Sequence, residues 1–126
     1  MGAELILIVE DNAKNLKLVR DLLQVKGYRT LEAGTAELGI ELASRYTPRL
    51  ILMDIQLPGM DGVAALGQLK ADPGTAQIPV IALTAFAMPD DRRRFHSAGF
   101  DGYLVKPVNI RELLEVVGEY CERRHV

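Results

Sequence analysis

A doubly wound α/β domain, with a flavodoxin-like parallel sheet of five strands in the order 2-1-3-4-5, is the fold class this sequence predicts. Three observations predict it. Five apolar runs of strand length recur along 126 residues. A helical pattern follows each run. The strongest runs are continuously apolar, as strands buried on both faces are, and do not alternate. Strand–helix alternation implies right-handed crossovers with helices on both sheet faces, and 2-1-3-4-5 is a common order for such a chain.

The first strand is expected at Leu5–Val9. In the helix after it Leu16, Val19 and Leu23 share one face, and Gly27 suits its end. A weaker strand, Tyr28–Ala33, precedes a helix capped by Thr35, with Ala36, Gly39, Ile40 and Ala43 as a small-residue stripe. The third strand, Leu50–Met53, runs into Asp54, and its helix, about Val63 to Ala71, stops before Asp72-Pro73-Gly74. Val80–Leu83 is the fourth strand. The helix that follows spans about Pro89 to Ala98, with Asp90 and Asp91 in its first turn and Gly99 past its end. A weaker strand at Gly102–Val105 leads to a helix capped by Asn109. Glu112 lies three residues on, and Ile110, Leu113, Leu114, Val117 and Cys121 line one face.

No repeat, linker or low-complexity tract divides the chain, so residues 1–126 are expected to form one domain. A content of 48% hydrophobic and 25% charged residues fits a globular protein with a core. The net charge of −2 leaves no electrostatic footprint for direct nucleic-acid binding. No apolar run approaches the roughly 18–20 residues of a membrane span, and no signal peptide opens the sequence. Cys121 is the single cysteine. It is expected to pack as a small hydrophobe, and a reducing cytoplasm is the expected location.

In this fold class ligand chemistry sits at the carboxyl ends of the strands, at the switch point between strands 1 and 3. Strand 1 continues into Glu10 and Asp11, and strand 3 into Asp54. Neighbouring strands lie roughly 4.8 Å apart, so the three carboxylates converge. Like charges at ~4 Å repel by about 1 kcal/mol in water and several-fold more in a lower dielectric. Either protons are retained or a cation binds. Strand 4 brings Thr84 to the same edge, and strand 5 brings Lys106, followed by Pro107. One ammonium does not balance three carboxylates. All-oxygen ligation with no His or Cys nearby points to Mg²⁺ over zinc. Each group alone has an ordinary explanation: an acidic pair complements the dipole of the next helix, and a strand-end Thr is a common β-former. The coincidence at four of five strand ends carries the functional reading. Turn dipeptides Pro58-Gly59 and Asp61-Gly62 then let the chain cross the mouth of the cleft.

The ordered set "VEDN", "MDIQLPGMDG", "LTA" and "YLVKP" resembles the receiver domain of bacterial response regulators over essentially the whole chain. "EDN" and "LTAFAM" look most like single-domain receivers and those of hybrid histidine kinases. The resemblance implies a phosphorylation-dependent switch or relay in two-component signalling. Asp54 would be the phosphoacceptor, with Thr84 and Lys106 as its catalytic partners. Mg²⁺ would be held by Asp11, Asp54, the backbone carbonyl of Gln56, and Glu10 directly or through water. Thr84 and Tyr103 would form the switch, and Gln56 and Phe86 would tune dephosphorylation. The Lys106–Pro107 bond is expected to be cis.

The resemblance further implies a histidine kinase or histidine phosphotransfer protein as phosphodonor. It implies a downstream protein on the face of helix 4, strand 5 and helix 5, and catalysis limited to the protein's own phosphorylation and dephosphorylation. Pro89 stands where the family often has a lysine, which predicts a later, sharper start of helix 4. Arg92, Arg93 and Arg94 are expected to form a solvated face, with partner contact as the rival reading, and His96 to lie on the surface.

Three other functions fit less well. An Asp-nucleophile phosphatase wants a second Asp where Gln56 stands, and a cap insertion. A flavin mononucleotide binder wants a Ser/Thr/Gly-rich phosphate loop where the acidic "EDNAKN" stands. A degenerate receiver acting only as an interaction module has no need of Asp54, Thr84 and Lys106 together.

Overall fold

The continuously apolar runs form the centre of one parallel sheet. The computed structural model describes residues 4–85 and 88–121. Its strands are β1 (Leu5–Val9), β2 (Arg29–Ala33), β3 (Leu50–Asp54), β4 (Val80–Thr84) and β5 (Gly102–Val105). They pair in the order β2-β1-β3-β4-β5, every pair parallel. The helices are α1 (Ala13–Val25), α2 (Ala36–Tyr46), α3 (Gly62–Ala71), α4 (Pro89–Ala98) and α5 (Ile110–Cys121). The expected architecture is the observed one.

Strand periodicity divides the interior in two. Leu7, Val9, Ile51, Met53, Val80 and Ala82 face a core closed by α2, α3 and α4, with Ala43, Leu66 and Phe95. Ile6, Ile8, Leu50, Leu52, Ile81 and Leu83 face the other side, closed by α1 and α5 with Val19, Leu23, Leu113, Val117 and Cys121. Each fully buried Leu, Ile or Phe contributes about 1.5–3 kcal/mol of transfer free energy, and this rigid double core fixes the positions of the strand ends.

Helix starts are set by local chemistry. Asn12 caps α1 by accepting the Lys14 and Asn15 N–H groups at 3.0 Å each. Thr35 caps α2, Asp61 caps α3 and Asn109 caps α5 in the same way. Met88 precedes α4 without a side-chain cap bond, and Pro89 takes the first helical position, as expected.

The boundaries differ from the sequence reading in two informative ways. β2 begins at Arg29 and not at Tyr28, because the Tyr28 N–H closes the end of α1 on Leu23 O at 3.1 Å, after Gly27 at φ +92°. β3 and β4 each run one residue past their apolar stretch. Asp54 pairs with Leu83 and Thr84 with Val105, so both polar residues belong to the sheet itself.

Candidate functional site

Among the described residues the buried polar or charged ones are Glu10, Asp54, Thr75 and Thr84. Thr75 is accounted for by a 2.7 Å hydrogen bond from its hydroxyl to Leu69 O. The other three lie at the carboxyl edge of the sheet. Burying charge costs free energy unless it is paired, so this edge is where the fold departs from what packing alone would select. A depression of about 840 Å³ opens at the opposite end of the sheet between Glu4, Arg29, Tyr46 and Arg49. The concentration of buried charge, not this depression, marks the carboxyl edge as the site.

Register creates the convergence. Val9 pairs with Met53, so Glu10 and Asp54, each the next residue, stand side by side at the carboxyl edge. The Glu10 N–H is anchored to Ala33 O at 2.9 Å, and its Oε2 accepts the Asn12 N–H at 3.2 Å. The Asp54 Oδ1 accepts the Gln56 N–H at 2.9 Å. Lys106, at the end of β5, reaches across the edge: its Nζ lies 2.8 Å from Asp54 Oδ2 and 3.1 Å from Glu10 Oε1. The exposed Asp11 completes the group. One carboxylate oxygen each from Glu10, Asp11 and Asp54 lie within 4.8 Å of one another.

Electrostatics follow from this crowding. Burial, joined by the neighbouring Asp54 carboxyl, pushes Glu10 up from 4.5 to about 7, against the opposing pull of Lys106 and the Asn12 N–H. Burial also works against the charge on Lys106, but its hydrogen bonds to Asp54 and Glu10 and their charges outweigh it, so the ammonium is held above its ordinary range. Three carboxylates against one ammonium leave two negative charges when all are ionised. An all-oxygen, acidic donor set of this kind fits a hard divalent cation such as Mg²⁺.

The loop after β3 holds this arrangement tightly. The Gly62 N–H donates to Ile55 O at 2.9 Å, and a Cβ on Gly62 would stand 2.6 Å from Asp54 O and 2.9 Å from Ile55 Cα. Only glycine lets α3 start so close to the strand end. Thr84 is buried, and its carbonyl accepts the Lys106 N–H at 2.7 Å. The Lys106–Pro107 bond is cis.

The structure thus gathers Glu10, Asp11, Asp54, Lys106 and Thr84 at one edge, with exposed Gln56 beside them. Tyr103 is half-buried on β5, three residues before Lys106. Phe86 lies outside the described residues. Four contacts were not read from the sequence. Lys106 is shared by Glu10 and Asp54, beyond its expected partnership with Asp54. The arginines of α4 are exposed, as expected, yet each has a partner: Arg93 pairs with Asp90 and Arg94 with Asp91, while Arg92 stacks over the Tyr103 ring. The Asp residues three positions back were a legible signal for the first two; a contact between separate elements left none.

Comparison with known proteins places these features in a lineage. The model of the response regulator receiver domain family matches residues 6–118. The polar-differentiation response regulator DivK of Brucella ovis is 42% identical over 115 residues, covering 91% of this chain and 94% of its own. The receiver domain of the sensor histidine kinase PA1611 from Pseudomonas aeruginosa was solved with a magnesium ion coordinated in its active-site cleft. It matches at a TM-score of 0.88 and 33% identity, over 97% of this chain and 100% of that one. A putative response regulator from Chloroflexus aurantiacus matches at a TM-score of 0.90 and 26% identity, over 96% and 99% of the two chains.

Proposed function

This chain belongs to the response regulator receiver domain family, homologous to phosphorylation-dependent switches of two-component signalling such as DivK, and on that premise we propose that Asp54 is its phosphoacceptor. The observation that carries this reading is the Lys106 ammonium 2.8 Å from the buried Asp54 carboxylate, beside two further acids.

An Asp54 carboxylate oxygen attacks phosphorus of a phosphohistidine in a histidine kinase or histidine phosphotransfer protein. The P–O bond forms as the P–N bond breaks, the imidazole leaves with the bonding electron pair, and Asp54 becomes an acyl phosphate. Such transfers require positioning and charge neutralisation more than covalent assistance from the protein. Lys106 pairs with Asp54 and orients it, then moves its ammonium to a phosphoryl oxygen. The Gln56 N–H fixes Oδ1. The Thr84 hydroxyl donates to a second phosphoryl oxygen, drawing the end of β4 toward the site. Tyr103 follows as the readout of that movement.

Asp11, Asp54, the Gln56 carbonyl, and Glu10 directly or through water would hold Mg²⁺, a reading supported by the magnesium in the PA1611 receiver domain. When bound, the ion offsets the repulsion among the carboxylates and the incoming phosphoryl oxygens.

The whole chain acts as a single receiver domain, and its catalysis is confined to its own phosphorylation and dephosphorylation. Gln56, exposed at the mouth, and Phe86 tune the second reaction. Output passes to a downstream protein through the face of α4, β5 and α5. No helix among the described residues is long and apolar enough to cross a membrane, and we place the protein in the cytoplasm.

Intact-mass measurement after incubation with acetyl phosphate and Mg²⁺ tests the reading. The expected result is one added phosphoryl group, absent in Asp54→Asn and absent with chelator. Uptake that survives Asp54→Asn assigns the chemistry elsewhere, and no uptake at all points to a phosphorylation-independent interaction module.

A further inference from the structure

Three consecutive arginines lie on α4, and they behave differently. Arg93 and Arg94 each turn back one helical turn, to Asp90 and Asp91. Arg92 leaves the helix: its guanidinium carbon lies 5.5 Å from the centroid of the Tyr103 ring. Helical spacing explains the difference. Arg92 stands one turn before Phe95, which is buried, so it rises from the border of the inward face of α4 and can cross to β5.

Tyr103 is the residue it meets, and its place is central. The ring packs against the core closed by α2, α3 and α4, and its backbone pairs with Ala82 on β4. Lys106, three residues on, donates its N–H to Thr84 O and its ammonium to Asp54 and Glu10. One short strand and the residue that follows it therefore carry both the aromatic ring and the counter-charge of the site.

We propose that Arg92 is a positioning residue for Tyr103: its guanidinium favours the half-buried ring position beside α4 and so opposes the ring movement coupled to Asp54. This rests on the reading of Asp54 as phosphoacceptor and of Tyr103 as its readout. A partly exposed cation over an aromatic face biases a two-state equilibrium by about 2- to 5-fold. A contact made in only one of two states is lost on conversion. By reciprocity, removing it eases conversion and tightens binding of any ligand that favours the other state by the same factor.

The test uses the full chain labelled with 3-fluorotyrosine, with Tyr103→Phe to assign the Tyr103 ¹⁹F resonance. Beryllofluoride with Mg²⁺ serves as the phosphoryl stand-in. Arg92→Met is expected to move the Tyr103 resonance part of the way toward its beryllofluoride position before any is added. It should also lower the half-saturating beryllofluoride concentration by about 2- to 5-fold. Arg92→Lys, which keeps a cation, should show a smaller change. Arg93→Met, equal in charge but away from the ring, should match the wild type in both measurements.

The proposal is overturned if Arg92→Met matches the wild type in both, or if Arg93→Met does as much as Arg92→Met. If beryllofluoride binds the wild type without moving the Tyr103 resonance, the Asp54 reading stands and the role of Arg92 falls alone. If beryllofluoride does not bind the wild type, both fall.

Discussion

Lys106 and Asp54, 52 residues apart in the chain, meet at 2.8 Å, and the same ammonium lies 3.1 Å from Glu10. One cation thus serves two carboxylates, and its removal should be felt by both. Lys106→Met is expected to lower the stability of the metal-free protein by about 1–3 kcal/mol at pH 8. That lies below the figure for a fully buried pair because the Lys106 side chain is 20% exposed. At pH 5 the loss should shrink, since Glu10 can then carry a proton. Urea melts at the two pH values measure this. An equal loss at both would mean that Glu10 and Lys106 are not coupled.

The raised Glu10 carboxyl makes stability depend on pH. Its folded value of about 7 lies above the ordinary 4.5, so the folded state holds the proton more tightly than the unfolded chain. The stabilisation is complete below 4.5 and is lost as pH rises through 7. In chelator the melting temperature should therefore fall between about pH 5 and pH 7.5, and Glu10→Gln should flatten that slope. The stabilisation from the raised Lys106 value is fully present throughout this window and is lost only as pH rises above 10.5. A melting temperature that climbs with pH over the same range in chelator would contradict the account.

Two glycines of α3 should respond in opposite directions. Gly62→Ala forces a Cβ to 2.6 Å from Asp54 O and should destabilise by about 1–3 kcal/mol, because backbone must shift to make room. Gly67 has open space within 4 Å of its Cβ position, so Gly67→Ala should stabilise by about 0.5–1 kcal/mol through helix propensity. Denaturant midpoints of the two variants decide it, and phosphoryl uptake should drop only in the first.

Asp11 is exposed, whereas Glu10 and Asp54 are buried. Asp11→Ala should leave metal-free stability within about 0.5 kcal/mol of the wild type, as surface changes do. It should weaken Mg²⁺ binding at least ~10-fold, the scale on which even outer-shell partners act. Calorimetric titration with Mg²⁺ reads this directly. An unchanged affinity would remove Asp11 from the ligand set.

Much of this was legible from residue order alone, for identifiable reasons. Leu50–Met53 and Val80–Leu83 are apolar on both faces, so a buried parallel strand accommodates them without exposing apolar surface, and the topology followed. Placing Glu10, Asp11, Asp54, Thr84 and Lys106 at one edge needed only the strand order. The one-residue displacement of β2 was illegible because Tyr28 suits a strand equally well; the hydrogen bond to Leu23 O decides it. Sharing of Lys106 and the reach of Arg92 to Tyr103 depend on long side chains crossing between elements. No period in the sequence records that distance.

Asp54 closes β3, whose five residues are all buried, and the next amide, that of Ile55, is held by Leu83 O at 3.0 Å. The Asp54 carboxylate therefore belongs to the cooperative centre of the domain and not to a fraying rim. Backbone amides around it should exchange with solvent only when the entire domain opens. A ligand captured there therefore stabilises the whole fold and slows any proteolysis that proceeds through global opening.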